Sequence, residues 1–190
     1  MKTLPLSSRR SFTLVELLVV MGLIGILAAM TLGAADYLDT KGKSTRAQGE
    51  IAAFEAALER YKNDNGTYPP TDPIASSDNH YVTNQTSYLP NARALYQSLS
   101  GVTNDATNSP PAGPVYFEFK ASQIRTAPRP FYAADPWGEP YGFATAAAPN
   151  GGTNNLLYNI GFCDIWSAAG QTRKGAKLDT NSWINNWSRR

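Results

Sequence analysis

The sequence predicts an α+β protein in which one long N-terminal helix packs on a small antiparallel sheet. Residues 14–32 are apolar or small except for Glu16 and Thr31, and no proline occurs between Phe12 and Pro69. The second half of this proline-free stretch carries an apolar stripe with helical spacing. Short segments rich in aromatic and β-branched residues follow in the last third of the chain, separated by turn residues, as is typical of short strands.

The apolar run 14–32 has the length of a membrane helix. Its 19 residues span about 28 Å at about 1.5 Å per residue, close to the thickness of a bilayer's hydrocarbon core. Lys2, Arg9 and Arg10 precede the run, and the positive-inside rule then places the N-terminus in the cytoplasm and the remainder outside. An ordinary secretory signal ending at residues 33–35 is the alternative, but its apolar region is usually only about 7–15 residues long.

Glu16 is the one carboxylate inside this run. A charge in a membrane helix costs roughly 2.5 kcal/mol or more, so it needs an explanation. One explanation is that Glu16 lies near the helix start and reaches the lipid headgroups. The interpretation we favour is a partner: if the chain is cut between Ser11 and Phe12, the new ammonium of Phe12 on a neighbouring subunit can pair with Glu16. A mispaired subunit would leave a buried charge alone, so the pair would set the axial register of an assembly.

Composition argues against several classes of function. The net charge is +2, but three of the 17 basic residues lie before Ser11, and the remainder carries 14 basic against 15 acidic residues. This balance gives no global signature of nucleic-acid binding. Cys163 is the only cysteine and His80 the only histidine, so neither a disulfide nor a Cys–His pair nor a typical zinc site is easily built. With no phosphate-binding loop or nucleophile elbow in the sequence, we do not expect an enzyme.

The N-terminal residues carry a family resemblance. A short basic leader, residues 1–11, precedes Phe-Thr-Leu-Val-Glu and a Gly/Ala-punctuated apolar helix, residues 12–35. This order resembles the signal of type IV pilins and type II secretion pseudopilins. The resemblance implies that prepilin peptidase cuts between Ser11 and Phe12 and N-methylates Phe12, and that Glu16 serves assembly. The family nearly always has Gly before the cut, where this chain has Ser11.

The helix is predicted to continue through residues 36–64 as an amphipathic segment. Gly66 is a good helix stop, and Pro69 prevents any continuation. Residues 61–70 resemble the end of the helical spine in the secretion pseudopilins, which supports a pilin-like fold. The predicted core stripe has spacings of three and four residues and consists of Ala47, Ile51, Phe54, Ala57, Leu58 and Tyr61.

Residues 65–190 are expected to form a periplasmic globular head. Its first part, 70–114, reads as variable loops around a short helix that Asn91 caps and Gly101 ends, with Leu95 and Leu99 on one side. Its second part, 115–187, is expected to hold the sheet, and its end resembles the C-terminal half of the major pseudopilins of type II secretion. The predicted strands are 115–119, 141–143 and 155–165, with Trp137, Trp166, Trp183 and Trp187 helping to close the core.

In those pseudopilins, a loop before the closing Asn-Trp holds calcium. The corresponding positions here are Gln171, Asp179 and Asn181, with Lys174 and Lys177 between them. Calcium takes 6–8 oxygen ligands, usually several from carboxylates, and this loop has lost an acid and gained two cations. We therefore favour a loop closed by hydrogen bonds and tryptophan packing, without a cofactor, and keep calcium as the alternative.

Two further groups of residues each allow a structural and a functional interpretation. Asp135 and Glu139 bracket a Pro-Trp-Gly turn, which explains them better than acid–base catalysis does. Arg189 and Arg190 end the chain, and we favour a solvated surface for them over a DNA site.

The combined expectation is a structural subunit of a type II secretion pseudopilus. It would cross the inner membrane once, with its C-terminal domain in the periplasm, before extraction into a periplasm-spanning fibre. The resemblance implies three partners: self and other pilin-like subunits, the prepilin peptidase, and an inner-membrane assembly platform. The alternative is a type IV pilin subunit for adhesion, motility or DNA uptake, which would use the loops within 70–114.

Overall fold

A computed structural model describes residues 12–71, 85–102, 110–126, 131–146, 158–159, 161–171 and 182–188, leaving aside the side chains of 31–36 and 85–88. The chain divides into two compact units, Met1–Lys41 and Gly42–Arg190. Helix α1, Leu14–Asn65, begins in the first unit and ends in the second.

The amphipathic part of α1 supplies the helical side of the core in the second unit. Ala47, Ile51, Phe54, Ala57 and Leu58 are fully buried, and Tyr61 packs against them, which confirms the predicted stripe. The helix ends where the sequence predicted. Gly66 has φ +79°, which suits glycine, and its N–H donates to the carbonyl of Lys62 at 2.7 Å.

Helix α2, Gln85–Ser100, is longer than predicted. It begins six residues before Asn91, and Pro90 lies inside it, so Asn91 is a buried helical residue rather than a cap. Packing overrides the local signals here, because Leu89 and Ala92 lie against the strand residue Tyr132. The rest of the prediction is confirmed: Leu95 and Leu99 are fully buried, and Gly101 ends the helix with φ +70°.

All strand pairs in the described residues are antiparallel, and they form two small sheets. The first sheet has two strands and follows a single 3₁₀ turn. The second has three strands in the order β3-β4-β5. The strands are β1 (Ile124–Arg125), β2 (Tyr132–Ala133), β3 (Gly142–Thr145), β4 (Cys163–Ser167) and β5 (Ile184–Asn185).

The core of the second unit lies between α1 and the three-stranded sheet. Phe54 sits at its centre, with its ring centroid 4.9 Å from that of Phe117 and 5.3 Å from that of Tyr141, both in edge-to-face geometry. Phe143 and Ile165 from adjacent strands are fully buried in the same cluster. This arrangement confirms the predicted α+β, pilin-like fold.

The strand predicted at 115–119 is wrong. The segment bends at Tyr116 and pairs with no strand among the described residues. The N–H groups of Tyr116 and Phe117 both donate to the carbonyl of Leu99, at 2.8 and 2.9 Å. The rings of Phe117 and Phe119 pack on Phe54, while the backbone N–H groups of Tyr116 and Phe117 bond to the end of α2.

The alternating strand predicted over 155–165 is confirmed at residues 163–165, which begin β4, and is wrong in the rest of its described part. Tyr158 and Asn159 form a bend, Gly161 has φ +81°, and β4 begins only at Cys163. The carboxylate of Asp164 explains the bend, because it accepts the N–H groups of Tyr158 and Asn159 at 2.8 and 3.0 Å and folds the segment back. Residues 155–157 and 160 lie outside the described residues.

Three of the four tryptophans form a second, smaller cluster. The indoles of Trp166 and Trp183 stack at 6.3 Å between centroids, and Trp187 meets Trp166 edge-on at 5.9 Å. Trp137 packs instead against the main core. The tryptophans therefore close two adjoining parts of the head rather than one.

Candidate functional site

The first unit exposes an apolar helix surface. Phe12 is 79% exposed and Leu14 80%, and every described residue from 12 to 30 is exposed. A solvated helix normally carries one apolar stripe, whereas this segment is apolar on all sides. Such a surface is typical of a segment that lipid or other subunits cover. In the part of the chain that the structure describes, no helix is both long enough and apolar enough to span a membrane.

Glu16 closes a capping box at the start of α1. Its Oε2 accepts the backbone N–H and the hydroxyl of Thr13, both at 3.2 Å, while Thr13 Oγ1 accepts the N–H of Glu16 at 3.2 Å. This reciprocal pattern satisfies donors that the first helical turn leaves without partners. The carboxylate also lies at the positive end of the helix dipole, where negative charge is favoured.

This role of Thr13 was missed in the sequence, although its signal was present. Thr13 stands three residues before Glu16, which is the spacing of a capping box before an apolar helix. Within the described residues, the hydrogen bonds that the Glu16 carboxylate accepts both use Oε2. Oε1 therefore remains a suitable acceptor for an ammonium group from outside the chain.

The predicted processing and metal positions are only partly described. Phe12 is exposed, and Ser11 lies outside the described residues. Gln171 is half-buried, and its N–H closes a turn on the carbonyl of Ala168 at 3.1 Å. Asp179, Asn181 and His80 lie outside the described residues.

A search of the described residues alone finds no group of three or more His, Cys, Asp or Glu side chains that would suit a metal ion. The single described member of the proposed calcium set, Gln171, supplies a neutral amide where a carboxylate would be preferred. Calcium therefore stays the less favoured alternative.

Asp135 and Glu139 lie in the predicted turn. Asp135 Oδ1 accepts the N–H groups of Trp137 and Glu139 at 3.0 and 2.8 Å, and Oδ2 accepts the hydroxyl of Ser167 at 2.5 Å. Both carboxyl groups are 1% exposed. Burial raises the pKa of Asp135 to about 6, against the lowering effect of the Ser167 hydrogen bond. The aspartate organises the turn, as the sequence predicted.

Cys163 is a core residue, as predicted. It is fully buried in the main cluster, and burial raises the pKa of its thiol far above the usual range. A thiol that stays protonated and inaccessible is neither a nucleophile nor a metal ligand.

Comparison with known proteins points in one direction. The family model of the prokaryotic N-terminal methylation motif matches residues 6–32. The chain is 30% identical over 176 residues to the type II secretion system core protein G of Pseudomonas aeruginosa, covering 93% of each chain. It is 28% identical over 175 residues to the core protein G of Escherichia coli, covering 92% of this chain and 91% of that relative.

The similarity to a type IV pilin extends over a shorter segment of the chain. The type IV major alpha-pilin of Moraxella bovis is 41% identical over 54 residues, which is 28% of this chain and 34% of the pilin. No solved structure matches the chain.

Proposed function

This chain belongs to the family of the type II secretion system core protein G, and from this membership we propose that it is a structural subunit of a type II secretion pseudopilus. The observation that carries the proposal is similarity over 93% of both this chain and the Pseudomonas aeruginosa relative. The methylation motif over residues 6–32 supports it, because that segment holds the cleavage and assembly positions predicted from the sequence. A structural subunit needs no catalytic site, and we propose none.

We propose that prepilin peptidase processes the chain between Ser11 and Phe12. The new N-terminus would be the Phe12 amine, two residues before the first residue of α1. Ser11 is small, as a peptidase that normally accepts glycine at this position requires. Methylation of the amine keeps its positive charge, so its ability to pair with a carboxylate is retained.

We propose that the subunits polymerise through the exposed apolar surface of residues 12–30. Burying one Leu or Val side chain contributes about 1.5–3 kcal/mol relative to water, so a fibre drawn out of the membrane needs neighbouring helices to cover this surface. The Phe12 ammonium of one subunit would bind Oε1 of Glu16 on another. Thr13 would hold Oε2 meanwhile, which lowers the cost of burying the carboxylate.

Family membership implies that the N-terminal helix anchors the subunit in the inner membrane before assembly. We propose a single pass with a cytoplasmic N-terminus and a periplasmic head. The support is the charge distribution of the sequence: Lys2, Arg9 and Arg10 lie on one side of the apolar run, and Asp36 and Asp39 follow it.

The alternative, a type IV pilin, is not favoured. Its match covers 28% of the chain, whereas the core protein G match covers nearly all of it. A pilin for adhesion would lose attachment but not fibres when residues 70–114 are altered. A secretion subunit would instead retain cargo in the periplasm when its gene is deleted.

The test is complementation of a gene deletion in the native host. Wild type, Glu16→Ala and the control Glu118→Gln, which changes an exposed glutamate of the head, are each expressed from a plasmid. We expect wild type and Glu118→Gln to restore cargo export, and Glu16→Ala to leave cargo in the periplasm. Mass spectrometry should find N-methyl-Phe12 in all three proteins.

Two results would contradict the proposal. Restored export by Glu16→Ala would refute the charge pair, and export unaffected by the deletion would refute a role in secretion. An N-terminus at Met1 in the wild-type protein would mean a plain membrane anchor.

A further inference from the structure

Two turns of the head contact each other at the end of the three-stranded sheet. Turn 135–139 lies between β2 and β3, and turn 168–171 follows β4. The hydroxyl of Ser167, the last residue of β4, donates to Asp135 Oδ2 at 2.5 Å. The ring of Trp137 lies against Gly170, so close that a Cβ on Gly170 would stand 2.7 Å from Trp137 Cδ1. A polar and an apolar contact therefore hold the two turns together.

Asp135 is buried without a cation. It is 1% exposed, and its carboxylate accepts hydrogen bonds from two backbone N–H groups and one hydroxyl. Across the described ranges, no Lys, Arg or His side chain bonds to it. Neutral donors stabilise a buried carboxylate only in part, so its ionised form is costly here.

The charged and titratable groups around Asp135 come from several elements. Glu139 belongs to the same turn, is also 1% exposed and repels the charge of Asp135. Tyr141 leads into β3, and its hydroxyl donates to Glu50 of α1 at 2.7 Å. Glu50 in turn pairs with Arg46 at 2.7 Å. β4 contributes Ser167, which has no charge. Arg46 is the cation of this network, and it forms its ion pair with Glu50 and not with Asp135.

The hydrogen bond between the Ser167 hydroxyl and Asp135 can form in either direction. Its oxygen also accepts the N–H of Ala169 at 3.1 Å, and Ala169 has the left-handed φ of 54°. When Asp135 is ionised, Ser167 donates its hydrogen to Oδ2. When Oδ2 carries a proton, that proton is donated to Ser167 Oγ, and the serine hydrogen rotates away. The two atoms stay bonded in both states, with the donor reversed.

We propose that turns 135–139 and 168–171 form a proton-sensitive clasp, in which one proton taken up by Asp135 reverses its hydrogen bond with Ser167 and stabilises the folded head. Protonation removes the buried charge and its repulsion by Glu139. The clasp goes beyond the role in a pseudopilus and does not rest on it.

The direction of the pH dependence follows from the burial of Asp135. Burial raises its pKa in the folded protein to about 6, from the ordinary value of 3.8 for an aspartate. The stabilising effect of protonation is fully present below the unfolded pKa and is lost as the pH rises through about 6. Full-length protein in detergent should therefore gain about 2–6 °C in Tm between pH 7.5 and pH 5 from this group. Asp135→Asn, which resembles the protonated form, should lack this gain.

Two variants should shift the midpoint pH of the Tm change in opposite directions. Such opposite shifts are not expected if Asp135 has only a structural role. Glu139→Gln removes a repulsion and should lower the midpoint pH of the transition. Ser167→Ala removes a donor to the carboxylate and should raise it. The exposed Glu118→Gln is the matched control and should keep the wild-type midpoint. Trp137 lies in the apolar contact with Gly170, so its fluorescence should change over the same pH range. The part of the signal that is lost in Trp137→Phe belongs to this residue.

The proposal is overturned if wild-type Tm does not rise on acidification, or if Asp135→Asn keeps the same rise. It is also overturned if Glu139→Gln and Ser167→Ala shift the midpoint in the same direction or not at all. The wild-type profile and these two shifts remain decisive even if Asp135→Asn does not fold.

Discussion

Replacing Gly142 by alanine should severely destabilise the head. Gly142 is the β3 residue directly opposite Trp166 of β4. A Cβ at position 142 would lie 1.8 Å from Trp166 Cε2 and 2.3 Å from Cδ2, where ordinary contacts are 3.4–4 Å. The indole would therefore have to move by more than an ångström. It cannot do so locally, because Trp166 is fully buried and meets Trp183 and Trp187.

Overpacking a core costs typically about 1–3 kcal/mol and occasionally more. Because the bulky ring here is itself packed on two others, we expect a loss of at least about 3 kcal/mol, a large part of the roughly 5–15 kcal/mol stability of a typical domain. The assay is urea unfolding of the full-length protein in detergent, followed by far-UV circular dichroism. A fall in the urea midpoint that corresponds to a loss of less than about 1 kcal/mol in the free energy of unfolding would refute the reasoning.

Gly49→Ala is the matched control for this experiment. Gly49 lies within α1, and an added Cβ there meets no atom within 4 Å. The same methyl group should stabilise the protein at this site by about 0.5–1 kcal/mol, because alanine favours the helix and restricts the unfolded chain. The two variants should thus change stability in opposite directions.

Three further predictions concern the C-terminal loop, calcium and the leader. Asn186→Ala should cost about 1–3 kcal/mol in urea unfolding, because its side chain bonds the backbone of Cys163 and Ile165; an unchanged midpoint would contradict this. Millimolar calcium should leave Tm unchanged relative to EGTA, since a neutral amide stands at Gln171; a clear rise would favour the calcium alternative. Deleting residues 2–10 should block processing, and a mature N-terminus at Phe12 in that variant would show the leader to be dispensable.

The helix–sheet architecture could be predicted because its signals are local and agree with one another. The α1 stripe, the stop at Gly66 and the strand near Phe143 each rest on spacing or turn chemistry within a few residues. The start of α2 was mispredicted because Pro90 and Asn91 give local signals that packing against Tyr132 overrides. Aromatic composition at 115–119 predicted a strand, but a strand also needs a partner, which composition does not specify.

The candidate site was predictable to a similar degree. Glu16 is conspicuous as a charge within an apolar run, so the sequence alone marks it as a candidate, and its role in assembly stays a prediction. The bond between Ser167 and Asp135 joins residues 32 positions apart, and no local pattern indicates it. Burial of both Asp135 and Glu139 likewise depends on how the two turns meet, which only the folded chain determines.

The capping box formed by Thr13 and Glu16 sets the start of α1 just after the proposed cleavage site. Phe12 and Thr13 are not helical, and α1 begins at Leu14. Peptidases bind their substrates as extended strands, so a scissile bond inside a helix would have to be unwound first. Because α1 begins at Leu14, the proposed cleavage between Ser11 and Phe12 would break no part of the helix that the structure describes. On that proposal, α1 would enter the fibre with its capping box intact.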